Sequence, residues 1–114
     1  MPQTGHITAT WAEGARTELE EFVANLRSPG AILSLFKTAD DIRGARWSYA
    51  VLTPDRVNAL AAAMSARGHP LLYDLDGVTV AISNIGHARE LHGTQLTVEG
   101  PGYLLARRST AAAV

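Results

Sequence analysis

The chain has 114 residues, 46% of them hydrophobic and 18% charged, with a formal net charge of −1. That length and balance suit one domain with its own core and exclude a chain held open by charge. Cysteine is absent, which excludes disulfides, thiolate nucleophiles and cysteine-held zinc or iron–sulfur centres. A charge this close to zero sets up no global field toward nucleic acid or anionic lipid. Nine arginines stand against one lysine, so any chemistry that needs an amine rests on Lys37. No apolar run approaches the roughly 20 residues that span a bilayer. The opening MPQTGHITATWAEG lacks the basic and apolar regions of a secretory signal. A cytoplasmic chain with no membrane partner is expected.

Residues 5–9 read as a short leading strand. Thr10-x-x-Glu13 spells a capping box, and Leu19, Phe22, Val23 and Leu26 then recur at i, i+3, i+4, i+7. An amphipathic helix is therefore predicted, with Arg16 and Glu20 paired on its outer side and Ser28-Pro29-Gly30 as its stop. Ala31–Thr38 can be read as strand or helix and is predicted as a strand, with residues 39–44 as a loop. Ala45–Leu52 alternates Trp47, Tyr49 and Val51 with Arg46, Ser48 and Ala50, the period of a second strand. A second helix opens on Thr53 as N-cap, with Pro54 at its first position and Asp55 in the first turn. Val57, Leu60, Ala61 and Met64 make its apolar stripe, and Gly68 with Pro70 ends it.

The next stretch, LLYDLDGVTVAIS (residues 71–83), resembles the first motif of the haloacid-dehalogenase phosphatases, a hydrophobic strand ending in D-x-D-G-[TV]. The resemblance implies Asp74 as nucleophile and Asp76 as general acid/base. That family also needs a downstream lysine and a further acidic pair for Mg²⁺. No lysine or aspartate follows Asp76, and the 38 residues after it are too few for a doubly wound sheet. The turn reading accounts for the same letters. Asp76-Gly77 is a preferred centre of a type I′ hairpin. It sets Leu75 opposite Val78, Tyr73 opposite Val80 and Leu71 opposite Ile82 on one face, and leaves Leu72, Asp74, Thr79 and Ala81 on the other. A short helix over residues 84–92 ended by Gly93, and strands at Gln95–Val98 and Tyr103–Ala106 around Gly100-Pro101-Gly102, complete the reading. The predicted fold is α+β, a mostly antiparallel sheet with two main helices on one face. It has a ferredoxin-like β-α-β-β-α-β order plus a C-terminal extension. Residues 1–108 form one domain and residues 109–114 a frayed tail.

The remaining chemistry is sparse. His87 and Glu90 are three residues apart and His92 falls on another side, which is not the i, i+4 pair of a helical zinc site. No metal or other cofactor is expected, and no catalytic residue is assigned. Gly68-His69-Pro70 after a helix resembles the pterin carbinolamine dehydratases, which carry His-His-Pro at such a helix end. His69 and Pro70 match, and Gly68 replaces the first histidine. The resemblance implies a small enzyme or ligand-binding protein using His69 with Asp74. Arg43, Arg46, Trp47 and Tyr49 form a basic-aromatic strand of the kind that binds RNA or single-stranded DNA, provided the aromatics face outward. If they face the helices, that platform is lost. The leading expectation is a small non-enzymatic module acting through protein–protein contacts, by self-association or as a subunit or inhibitor of a larger assembly. Its expected partner-binding face carries Leu72, Asp74, Thr79 and Ala81.

Overall fold

Residues 4–25, 30–100 and 102–108 are described by a computed structural model. In chain order the elements are β1 (Thr4–Ile7), β2 (Thr10–Trp11), α1 (Ala15–Ala24), β3 (Ile32–Asp41), β4 (Gly44–Leu52) and α2 (Pro54–Ala66). There follow β5 (Leu72–Leu75), β6 (Val78–Ala81), α3 (Ile85–Glu90), β7 (Thr94–Gly100) and β8 (Tyr103–Arg108). The described strands make one mixed eight-stranded sheet in the order β1-β5-β6-β3-β4-β8-β7-β2.

The margins of this sheet are β1 and β2, which only Thr8 and Ala9 separate. β1 runs parallel to β5 and β2 parallel to β7. Three residue steps reach at most about 11 Å, so the two margins meet and the sheet rolls up. β1 and β2 act as one kinked strand whose first half closes one side of the seam and whose second half closes the other. The Gly93 N–H donates to the Thr8 carbonyl at 2.6 Å and the Ala12 N–H to the Leu96 carbonyl at 2.8 Å, which ties the kink down.

Strand direction places the helices. The end carrying the β3–β4 turn is the upper end. α1 joins the lower end of β2 to the lower end of β3, and α3 joins the upper ends of β6 and β7. α2 runs from the lower end of β4 to the upper end of β5, along the outer wall. Two cores result. Inside the roll, Ile7, Leu33, Leu35, Trp47, Leu75, Val80, Leu96 and Leu104 pack with Leu19 of α1 and Ala88 of α3. Outside it, Val57, Leu60, Ala61 and Met64 of α2 cover Ile32, Leu52, Leu72 and Ala81.

Several expectations hold. Residues 32–38 of the predicted strand do lie on β3, the stripe of the second helix faces the sheet, and the β5–β6 register is the predicted one. Asp76 and Gly77 have φ of 49° and 88°, the positive values that a type I′ turn requires. Other expectations are corrected. The ferredoxin-like arrangement is not what forms: the sheet is mixed, and α1 and α2 do not share a face. Long-range pairing explains the difference, because β1, β2 and β3 each take a parallel neighbour from a distant hairpin. Thr10 caps no helix; it joins β2, and α1 begins after Gly14 with no side-chain cap. The loop at 39–44 shrinks to a turn at Ile42-Arg43. Residues 109–114, with Leu26, Ser28, Pro29 and Pro101, lie outside the described residues. No helix among the described residues is long and apolar enough to cross a membrane.

Candidate functional site

The structure separates the basic-aromatic strand into two faces. Trp47 is fully buried inside the roll, and Tyr49, on the same face, is half-buried against Phe22 of α1. Arg46 lies on the outer wall with its guanidinium carbon 5.5 Å from the Tyr103 ring centre, and Arg43 is exposed in the β3–β4 turn. The four residues form no common surface. The period-2 pattern of β4 carried this outcome, since Trp47 and Arg46 are adjacent and must point apart.

The expected partner face is also divided. Ala81 is fully buried and Leu72 half-buried beneath α2, so the upper part of that face is already covered. Asp74 and Thr79 sit opposite each other below it. Asp74 accepts the Gly77 N–H at 3.1 Å, which fastens the turn, and its other oxygen lies 3.7 Å from Nδ1 of His6. The histidine beside Asp74 is thus His6, brought in by the parallel β1–β5 pairing, which sequence spacing could not reveal. The His69 N–H donates to the Met64 carbonyl at 3.0 Å and closes α2.

The seam uses two further residues. The Trp11 N–H donates to Oδ2 of Asp76 at 3.3 Å, and its indole N–H to the Leu75 carbonyl at 2.9 Å. The Thr8 N–H donates to Nδ1 of His92 at 3.0 Å. A cavity of about 350 Å³ runs along the seam between His6, Thr10, Asp76 and Thr94. The groups of Asp76, Thr8 and Gly93 beside it are spent on holding the two margins together.

At the upper rim, period 2 along β3 turns Lys37 inward, directly opposite Trp47 in the ladder. Its ammonium escapes the apolar interior by reaching Oε1 of Glu90 on α3 at 2.7 Å and Oδ1 of Asp40 at 2.9 Å. The side chain is only 10% exposed. Hydrogen bonds to Asp40 and Glu90 raise its pKa above the ordinary 10.5, which favours the ammonium form. Beneath α3, Trp47 Nε1 and Tyr73 Oη are buried with no hydrogen-bond partner among the described residues. Burial pushes the Tyr73 phenol above its ordinary 10.0, with the Arg89 charge pulling the other way. No group of three or more metal-ligating side chains gathers among the described residues.

The β3–β4 hairpin combines an open strand margin with exposed apolar side chains. β3 pairs with β6 only at Leu33 and Ser34, so Leu35–Asp41 continue upward with no strand on that side among the described residues. Phe36, on the outer wall, is 47% exposed, and Ile42, in the turn, is 100% exposed. Neither Ile42 nor Arg43 has positive φ, so this turn is not a two-residue I′ turn. An extra residue at Thr38 shifts the register between Lys37 and Ala39, and the Thr38 hydroxyl donates to the Arg46 carbonyl at 3.2 Å. The bulge and the inward lysine blunt this edge against indiscriminate strand pairing while leaving its apolar side chains outside. Comparison of the chain with protein-family models, with curated proteins and with solved structures finds no match in any of the three.

Proposed function

We propose that this protein is a small protein-interaction module that engages its partner through the β3–β4 hairpin, with Ile42 as the apical contact and Phe36 as a flanking one. The observation that carries the reading is the full exposure of Ile42. A β-branched apolar residue at the tip of a hairpin serves neither turn chemistry nor the core. Burying a side chain of this kind against a partner contributes about 1.5–3 kcal/mol, enough to make it an anchor of a small interface. The open margin of β3 beside it offers backbone groups to the same partner, which is a second copy of this chain or another protein. Affinity capture from a lysate of the source cell, scored for wild type, Ile42→Ser and Phe36→Ser, tests it. The expected result is a specific partner or self-association retained by wild type and lost in Ile42→Ser. Equal capture by both variants would sink the reading.

One observation favours a second reading, binding of single-stranded nucleic acid on the outer wall. The ladder aligns Phe36, Ser48 and Tyr103 in a row across β3, β4 and β8, with Arg46 over Tyr103 and Arg107 further along β8. Aromatic rings with adjacent guanidinium groups suit base stacking and phosphate contact. Salt-sensitive binding of an oligonucleotide that falls in Phe36→Ser and Tyr103→Ser supports it. Binding that survives both substitutions removes the wall from consideration.

A further inference from the structure

A second surface lies at the lower end, opposite the hairpin turn, and rests on other residues. We propose that the cleft between α1 and the lower ends of β7 and β8 binds the side chain of an arginine carried on an extended segment of a partner protein. The cleft measures about 610 Å³ and is lined by Glu18 and Phe22 of α1, Tyr49 of β4, Glu99 of β7 and the glycines Gly100 and Gly102. Its floor is aromatic. Phe22, which the helical stripe would send to the core, is 37% exposed, and its ring meets that of Tyr49 edge-on at 5.3 Å and 83°.

Tyr49 is fixed in place before any ligand arrives. Its N–H donates to the Gly102 carbonyl at 3.2 Å, and its Oη accepts the Gly102 N–H at 3.4 Å. Glu18 of α1 and Glu99 of β7 line the cleft and are exposed, and among the described residues no basic side chain lines it. The arginine on the same helix, Arg16, points instead to Glu20 at 2.9 Å.

These features select the occupant. An apolar segment would bury two carboxylates without partners, which is unfavourable, and a second α1 would set like charges against each other. A guanidinium satisfies both demands at once. Its face stacks on the rings and its edge donates in plane to carboxylates, whereas an ammonium is a compact, strongly hydrated charge that stacks poorly. Chain neighbours aside, nothing among the described residues stands within 4 Å of where a side chain on Gly102 would begin, so the space beside Gly102 is open on that side.

The test is a titration of the full chain with acetyl-(Gly-Arg)₃-amide, followed by backbone amide shifts, with citrulline and lysine versions of the peptide as controls. The expected result is shifts centred on Phe22, Tyr49, Glu99, Gly100 and Gly102. Affinity should fall at least about tenfold in Phe22→Ser and in Glu18→Gln/Glu99→Gln. Both substitutions fall on exposed side chains, and unchanged spectra away from the cleft verify that they fold. Binding should be unchanged in Ile42→Ser, which separates this site from the hairpin. Equal affinity for the citrulline or lysine peptide overturns the proposal. So do shifts centred elsewhere, or no shift at millimolar peptide.

Discussion

Lys37 reconciles an inward strand position with a charge. The alternation of β3 aims its stem at Trp47, and the ammonium returns to the rim to meet Glu90 and Asp40. As the sole lysine it was conspicuous in the sequence, but its partners were not, because Glu90 lies 53 residues away. The unfolded chain releases this proton near the ordinary 10.5, whereas the folded chain holds it to a higher pH. The stabilisation is therefore complete below that pH and is lost as pH rises through the raised value. Tyr73 acts in the same direction, since its phenol ionises in the unfolded chain before the folded one. Urea melts from pH 8 to 11.5 should show stability falling above about pH 10, with a shallower fall in Lys37→Met and in Tyr73→Phe. At neutral pH, Tyr73→Phe removes a buried hydroxyl that has no partner among the described residues. It should leave stability unchanged or raise it by up to about 1 kcal/mol. A loss larger than that would mean the hydroxyl is satisfied.

Among the elements, the β5–β6 hairpin was the most legible, because turn chemistry and alternation specify the same register. Asp76 and Gly77 both hold positive φ, so substitutions here separate backbone from side chain. Asp76→Asn keeps a turn-forming residue and an acceptor for the Trp11 N–H, and should change stability by less than about 0.5 kcal/mol. Gly77→Ala forces a Cβ into the left-handed region and against the Arg16 guanidinium. It should cost about 1–2 kcal/mol in the same urea melts. α1 was legible in its periodicity and misread at its start, because Thr10 serves β2 instead of a cap. Its stripe divides physically. Leu19 enters the lower end of the roll and is fully buried, while Phe22 stays at the mouth on Tyr49. Leu19→Ala should cost about 2–5 kcal/mol, and Phe22→Ser much less; equal losses would place Phe22 in the core.

At the scale of the molecule, the rolled sheet was the part the sequence did not disclose. Each hairpin is local, but the seam and the β3–β6 contact join segments tens of residues apart through backbone hydrogen bonds that carry no side-chain signature. The surfaces proposed for binding were hidden for the same reason. The helix stripe covers the face that looked free, and the hairpin expected to end in a loop presents Ile42 at the rim. Closure of the wall removes most strand margins from solvent, and among the described residues the upper part of β3 offers backbone and apolar side chains together. Hydrogen exchange of the protein with and without its captured partner, or across a concentration series if it binds itself, reads that claim directly. The account predicts that amides of residues 35–43 are selectively slowed while those of α2 and the β5–β6 hairpin keep their rates. Slowing confined to α2 or α3, with residues 35–43 unaffected, would contradict it.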